Sequence, residues 1–171
     1  MGQYDGYESH EQAVSLKLPA VFYGEVLKMM TGGSQKEAIG ALEMFLAIWP
    51  DVALAHNDLG VLYSKEGEKE KALEHYKQAA QLEPENATFQ KNLADFYYIE
   101  LGRVEEAMEL YIKVLGADPT DTEVLFILGT ICVSLEKSDD AKFFYKRVLE
   151  LEPWNVDARE RLDVMGRGMI G

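Results

Sequence analysis

The sequence predicts an all-α fold of about four helix-turn-helix repeats closed by a C-terminal capping helix. Three sets of residues carry this reading. Prolines recur at Pro50, Pro84, Pro119 and Pro153, at spacings of 34, 35 and 34 residues. Alanines at Ala38, Ala72, Ala107 and Ala141, and leucines at Leu59, Leu93, Leu128 and Leu162, keep the same three spacings. Shorter columns run in register with them: Gly60, Ala94 and Gly129; Tyr63, Tyr97 and Cys132; Leu42, Tyr76, Tyr111 and Tyr145. Independent columns that share one period mark a supersecondary unit repeated along the chain.

Within a period, helical spacing separates two helices. In residues 51–84, His56, Leu59, Gly60 and Tyr63 share one face of a first helix. Ala72, Tyr76, Ala79 and Ala80 form the packed face of a second. Gly67 breaks the first helix. Pro84 ends the second, because a proline drives the residue before it out of the helical region. Asp51, Asn86, Asp121 and Asn155 follow the prolines as side chains suited to starting the next helix. Ser34 and Glu37 form a capping-box pattern in the first period. Small Gly60, Ala72 and Ala79 let paired helices approach closely, with Tyr63 and Tyr76 filling the volume beside them. The first period is the least regular: Phe22, Val26 and Met29 stand on its packed face, while Ala38, Leu42, Phe45 and Pro50 hold the register. The third has one extra residue within 98–101. It is expected as an insertion at a helix end, the alternative being a π-bulge.

Leu59-Gly60, Tyr63, Gly67, Ala72, Tyr76, Ala79 and Pro84 together resemble the signature of the tetratricopeptide repeat (TPR). The resemblance covers roughly residues 17–165 and implies a right-handed α-α superhelix, a TPR solenoid, with repeats at about 17–50, 51–84, 85–119 and 120–153. A capping helix is expected at about 155–165, where Val156, Arg159 and Leu162 continue the register while Asp157, Glu160, Arg161 and Asp163 are charged. Residues 1–16 are expected to form a flexible N-terminal segment, and 166–171 a tail without periodicity.

Charge and composition exclude several function classes. Acidic residues outnumber basic ones 30 to 17, a net charge of −13. Such a surface repels phosphate, so neither nucleic acid nor an anionic membrane is expected as a partner. No apolar run reaches the ~18 residues that membrane insertion needs. The start, Met1-Gly-Gln-Tyr-Asp, lacks a basic region followed by an apolar one. With Cys132 as the sole cysteine, a cytoplasmic location is expected. No catalytic constellation is present, so no enzyme activity, cofactor or metal is expected. His56 falls on a packed face and reads as half-buried, His75 beside Glu74 reads as solvated, and no histidine pair has metal-ligand spacing. Cys132 reads as a small buried hydrophobe. Acidic runs such as Glu105-Glu106 and Asp139-Asp140 read as solvated first turns of helices.

Function in a solenoid lies in its surface. The resemblance implies that the first helix of each pair lines a concave face. The side opposite the packed face carries Tyr23, Leu27 and Met30 in the first period, and Asn57, Val61 and Ser64, with Leu54 and Lys65, in the second. It carries Lys91, Asp95 and Tyr98, with Ile99, in the third, and Phe126, Thr130 and Val133, with Glu123, in the fourth. The apolar share of this set predicts a groove for a peptide or helix segment, with about half of the side chains packing between repeats instead. One branch of the same family clamps the C-terminal carboxylate of chaperone peptides. Its polar positions fall here at Asn57, Val61, Asn92, Glu123 and Ile127, and Asn92 alone matches, so chaperone-tail binding is not expected. The predicted function is a protein-interaction adaptor or scaffold with a protein or peptide partner. One alternative is a self-assembling homo-oligomer, with Tyr4, Tyr7 and the stretch from Val14 to Leu18 as the inserted element. The other is a non-catalytic regulatory module cut from a larger enzyme such as a glycosyltransferase or methyltransferase.

Overall fold

The computed structural model describes residues 20–28, 32 and 34–167. The expected flexible segment 1–16, Met29, Met30 and the tail beyond Arg167 lie outside the described residues. Residues 20–28 form α1. Then follow α2 (Gln35–Ile48), α3 (Ala53–Lys65), α4 (Lys69–Leu82), α5 (Ala87–Asp95), α6 (Val104–Ala117), α7 (Thr122–Ser134), α8 (Ser138–Leu151) and α9 (Val156–Arg167). The described residues contain no strand, and none of their helices is long and apolar enough to cross a membrane. Contacts group them into two compact units, one ending at Glu83 and the other starting at Pro84.

Four helices end alike. Trp49, Glu83, Asp118 and Glu152 each precede a proline and close α2, α4, α6 and α8 with φ between −131° and −126° and ψ between 76° and 93°. The proline ring excludes the helical region at the residue before it, so the same exit recurs at every period. Helix starts are less uniform. The Ser34–Glu37 capping box is complete: the Glu37 N–H donates to Ser34 Oγ at 3.2 Å and the Ser34 N–H to the Glu37 carboxylate at 3.0 Å. Asn86, Asp121 and Asn155 accept from the open N–H groups of α5, α7 and α9. Asp51 does not cap α3, which starts after Val52 with no side-chain hydrogen bond. The three working caps stand two residues after their prolines and Asp51 stands one, so the capping position falls on a valine.

The turns within helix pairs show where the third repeat hides its extra residue. After α3, Gly67 takes φ +78°, and after α7, Glu136 takes φ +59°. In each the next N–H folds back to close the helix, Glu68 onto the Tyr63 carbonyl at 2.9 Å and Lys137 onto that of Cys132 at 2.8 Å. In the third repeat Gly102 holds the left-handed position at φ +63°, and Arg103 closes onto Tyr97 at 2.8 Å across one more residue. The extra residue is taken up by a π-helical stretch, Phe96–Glu100, that continues α5. This corrects the expected insertion at the helix end. The left-handed turn and the tyrosine column are both kept, so the ladder between them widens.

Paired helices meet where one of them lacks a side chain. A Cβ placed on Gly60 would lie 2.7 Å from the Tyr76 ring, and one on Gly129 would lie 2.8 Å from the Tyr145 ring. Ala72, Ala107 and Ala141 are fully buried. In the first unit Phe45 anchors an aromatic cluster with Phe22, Tyr23 and Trp49. The buried residues of α1 are Tyr23 and Val26, while Phe22 is partly exposed; its packed face is therefore turned from the expected one. The Tyr23 hydroxyl donates to Asp58 of α3. In the second unit Ala158, Leu162 and Met165 of α9 cover the core of Leu125, Cys132, Tyr145 and Val148. Burial pushes the Cys132 thiol up, as suits a small apolar residue. His75, expected to be solvated, is half-buried against His56.

Gly60→Ala is expected to lower stability by ~1–3 kcal/mol through overpacking, against the ~1 kcal/mol helix gain of alanine. Gly40→Ala on α2, where a Cβ meets nothing within 4 Å, should instead raise the melting temperature. Thermal melts that moved both variants the same way would rule out the close contact. Glu136→Gly relieves a left-handed non-glycine residue and should stabilise by up to ~1 kcal/mol in denaturant titrations.

Candidate functional site

The first-helix residues proposed for the groove are supported from behind by the tyrosine column of the second helices. Val61, Asp95 and Thr130 occupy one column, each next to Gly60, Ala94 or Gly129. Tyr111 on α6 donates its hydroxyl to Asp95 at 2.6 Å. Tyr145 on α8 meets Thr130 Oγ1 at 3.1 Å, and Thr130 itself donates to the Phe126 carbonyl, which leaves Tyr145 as the donor. Both tyrosines are fully buried. Burial, and next the hydrogen bond to Asp95, hold the Tyr111 hydroxyl well above its usual range, so it stays a donor. Burial also raises the Asp95 carboxyl; the Tyr111 hydrogen bond opposes this, Glu123 and Asp121 reinforce it, and Lys91 opposes it.

Lys91 ties α5 to α7. Its ammonium lies 3.5 Å from Asp121 and bonds Glu123. Burial works against its charge, but the two carboxylates outweigh burial and raise it. One ammonium faces Asp95, Asp121 and Glu123, so this patch is acidic. Phe126 lies one turn from Glu123 on α7, and its ring centroid is 5.3 Å from that of Tyr145. It forms one wall of a cleft of about 440 Å³ whose other lining residues, Asp157, Glu160, Arg161 and Val164, come from α9. Asp157, Glu160 and Arg161 are expected from the sequence only as charged residues of a capping helix, and Val164 is not singled out there. Their spacing of three, four and seven puts them on one helix face, the signal that locates them.

The other expected groove residues divide. In the second unit Tyr98 is half-buried in the π-helical stretch, and Ile99 and Val133 are exposed. In the first unit Leu27 is exposed and Val61 and Ser64 are half-buried, but Tyr23 and Asn57 are buried, each 7% exposed. Tyr23 is taken into the core by Phe45 and Asp58, and Asn57 lies beside Asp58 on α3.

Known proteins share the repeat pattern and the fold. Sequence profiles described as tetratricopeptide repeat match residues 33–81, 65–128 and 122–153. A type IV pilus assembly protein, PilF, from Pseudomonas aeruginosa is 32% identical over 124 residues, covering 70% of this chain and 48% of that protein. The chain spans between 13% and 48% of the length of the first curated relatives it matches. A tetratricopeptide repeat protein from Parabacteroides merdae superposes with a TM-score of 0.79 at 23% identity, over 86% of this chain and 58% of that one; the likeness is one of fold. The first TPR of Spaghetti (RPAP3), solved with the HSP90 peptide SRMEEVD, superposes with a TM-score of 0.61 at 27% identity, over 70% of this chain and 94% of that one. With repeat profiles matching across residues 33–153, the chain belongs to the tetratricopeptide repeat family.

Proposed function

We propose that this chain is a non-catalytic protein-interaction module that holds a peptide or helix segment on its first-helix faces. The observation that carries the reading is the cleft lined by Phe126 on α7 and by Asp157, Glu160, Arg161 and Val164 on α9, which sets two apolar side chains beside three charged ones. Clefts of this kind take an aliphatic or aromatic anchor, while the rim selects the flanking residues. Asp157 and Glu160 outnumber Arg161 along the cleft, and the nearby Lys91 is already paired with Asp121 and Glu123. The matching ligand is an apolar side chain flanked by lysine or arginine. The RPAP3 domain was solved with an acidic peptide; here Glu123 stands among the positions of the carboxylate clamp and repels such a terminus. A cytoplasmic place of action belongs to the same reading, since the single, buried Cys132 suits a reducing compartment; recovery from an oxidising compartment on cell fractionation would rule it out.

Fluorescence anisotropy with a labelled leucine-lysine amphipathic peptide and with SRMEEVD tests the proposal. The basic peptide should bind, more weakly as salt rises, and the acidic one should not. Val164→Ala, which truncates an exposed side chain, and Phe126→Ala should each weaken binding about tenfold, roughly 1.4 kcal/mol. Equal binding of the two peptides, or no loss in either variant, would overturn it. A concentration-dependent mass in light scattering would instead point to a second copy as the occupant.

A further inference from the structure

His56 on α3 and His75 on α4 face each other inside the first unit, and neither belongs to the proposed binding face. Their Nδ1 atoms are 2.9 Å apart and their ring centroids 5.2 Å apart. The centroid separation is the nitrogen-nitrogen distance plus one ring radius at each end, so the two nitrogens meet head-on. That geometry holds one hydrogen between two lone pairs. It does not suit a metal ion, which needs lone pairs that converge to one side.

The tautomers follow from a neighbouring carbonyl. His56 Nε2 lies 2.9 Å from the Pro50 oxygen. A carbonyl only accepts, so Nε2 carries a hydrogen and the neutral ring presents its Nδ1 lone pair. His75 therefore donates from Nδ1. One proton can be added at His75 Nε2 without disturbing the contact. A second must enter on the shared line, and two N–H groups would then point at each other.

The groups around the pair are Glu43 from α2, Tyr63 from α3 and Glu74 from α4. The Tyr63 ring stacks on His75 with centroids 5.6 Å apart and planes 9° apart. The Lys71 ammonium lies over that same ring. The Tyr63 hydroxyl donates to Glu43, and burial together with that carboxylate pushes it up to about 12. Burial first, and His56 second, hold His75 below the usual histidine range, against the pull of Glu74 and Glu43.

We propose that His56 and His75 form an acid-released latch between α3 and α4, closed when the pair holds at most one added proton and opened by the second. Opening unstacks Tyr63 and loosens the helix pair. The sign follows from linkage. A histidine that binds protons less readily when folded contributes stability above its unfolded range, near ~6.5, and loses it as pH falls below that value.

The test uses the full chain. Nitrogen-15 imidazole spectra at about pH 7.5 should show His56 protonated at Nε2 and His75 at Nδ1. Between about pH 7.5 and 5.5 the melting temperature should fall by about 2–4 °C in the parent chain. In His75→Gln, whose amide can still donate to His56 but cannot gain a proton, less than half of that fall should remain. His10 is common to both chains and cancels. Should that variant not fold, the parent spectra decide alone: the shared Nδ1–H signal should survive the first protonation and vanish with the second. Two Nε2–H tautomers at about pH 7.5, or equal loss of stability in parent and variant, would overturn the latch.

Discussion

The distance at which a tyrosine of the second helix can lie on the first sets the geometry of the helix pairs. At Gly60 and Gly129 there is no Cβ, and the rings of Tyr76 and Tyr145 occupy the space it would need. Close approach buries Ala72 and Ala141 completely, and dispersion contacts are lost steeply when such a gap opens. It also carries the Tyr145 hydroxyl through to Thr130 on the first helix. In the third repeat Ala94 stands in the glycine column, and Tyr111 reaches Asp95 in the same way. The packing residues thus orient the residues proposed for binding.

The ends of the helices are as tightly determined, and variation is displaced to where they allow it. A proline fixes the exit of each second helix, and a left-handed residue fixes the exit of three first helices. Between Tyr97 and Arg103 both boundaries are kept, so the added residue widens the hydrogen-bond ladder into a π-helical stretch. One consequence touches the proposed binding face: Tyr98 and Ile99 lie in that stretch, and Ile99 is left exposed.

Charge distinguishes the second unit's face from a generic apolar one. Lys91 is engaged by Asp121 and Glu123, which leaves the balance negative beside the Phe126 cleft. A long-range preference of this kind acts on encounter and specificity more than on raw affinity. The first unit contributes a different chemistry, since its two described histidines share a single hydrogen-bond line whose geometry depends on their protonation.

Period, helix pairing and family were legible from the sequence because they depend on local rules repeated in register: proline at every second exit, alanine and glycine at every close contact, Ser34 with Glu37 one helical turn apart. Phe126 was singled out for the proposed groove for the same reason, its place in the repeat. Which of several near-equivalent residues faces the core was decided by tertiary structure alone. Tyr23 rather than Phe22 is buried because Phe45 and Asp58 receive it. His75 leaves solvent because His56 and Tyr63 flank it from another helix. Arg161 and Val164 join Phe126 because α7 and α9 line one cleft, so that the cap and the cleft share one helix. Periodicity specifies the angle of a residue about its own helix; the neighbour that meets it comes from contacts between helices, which a one-dimensional repeat does not encode.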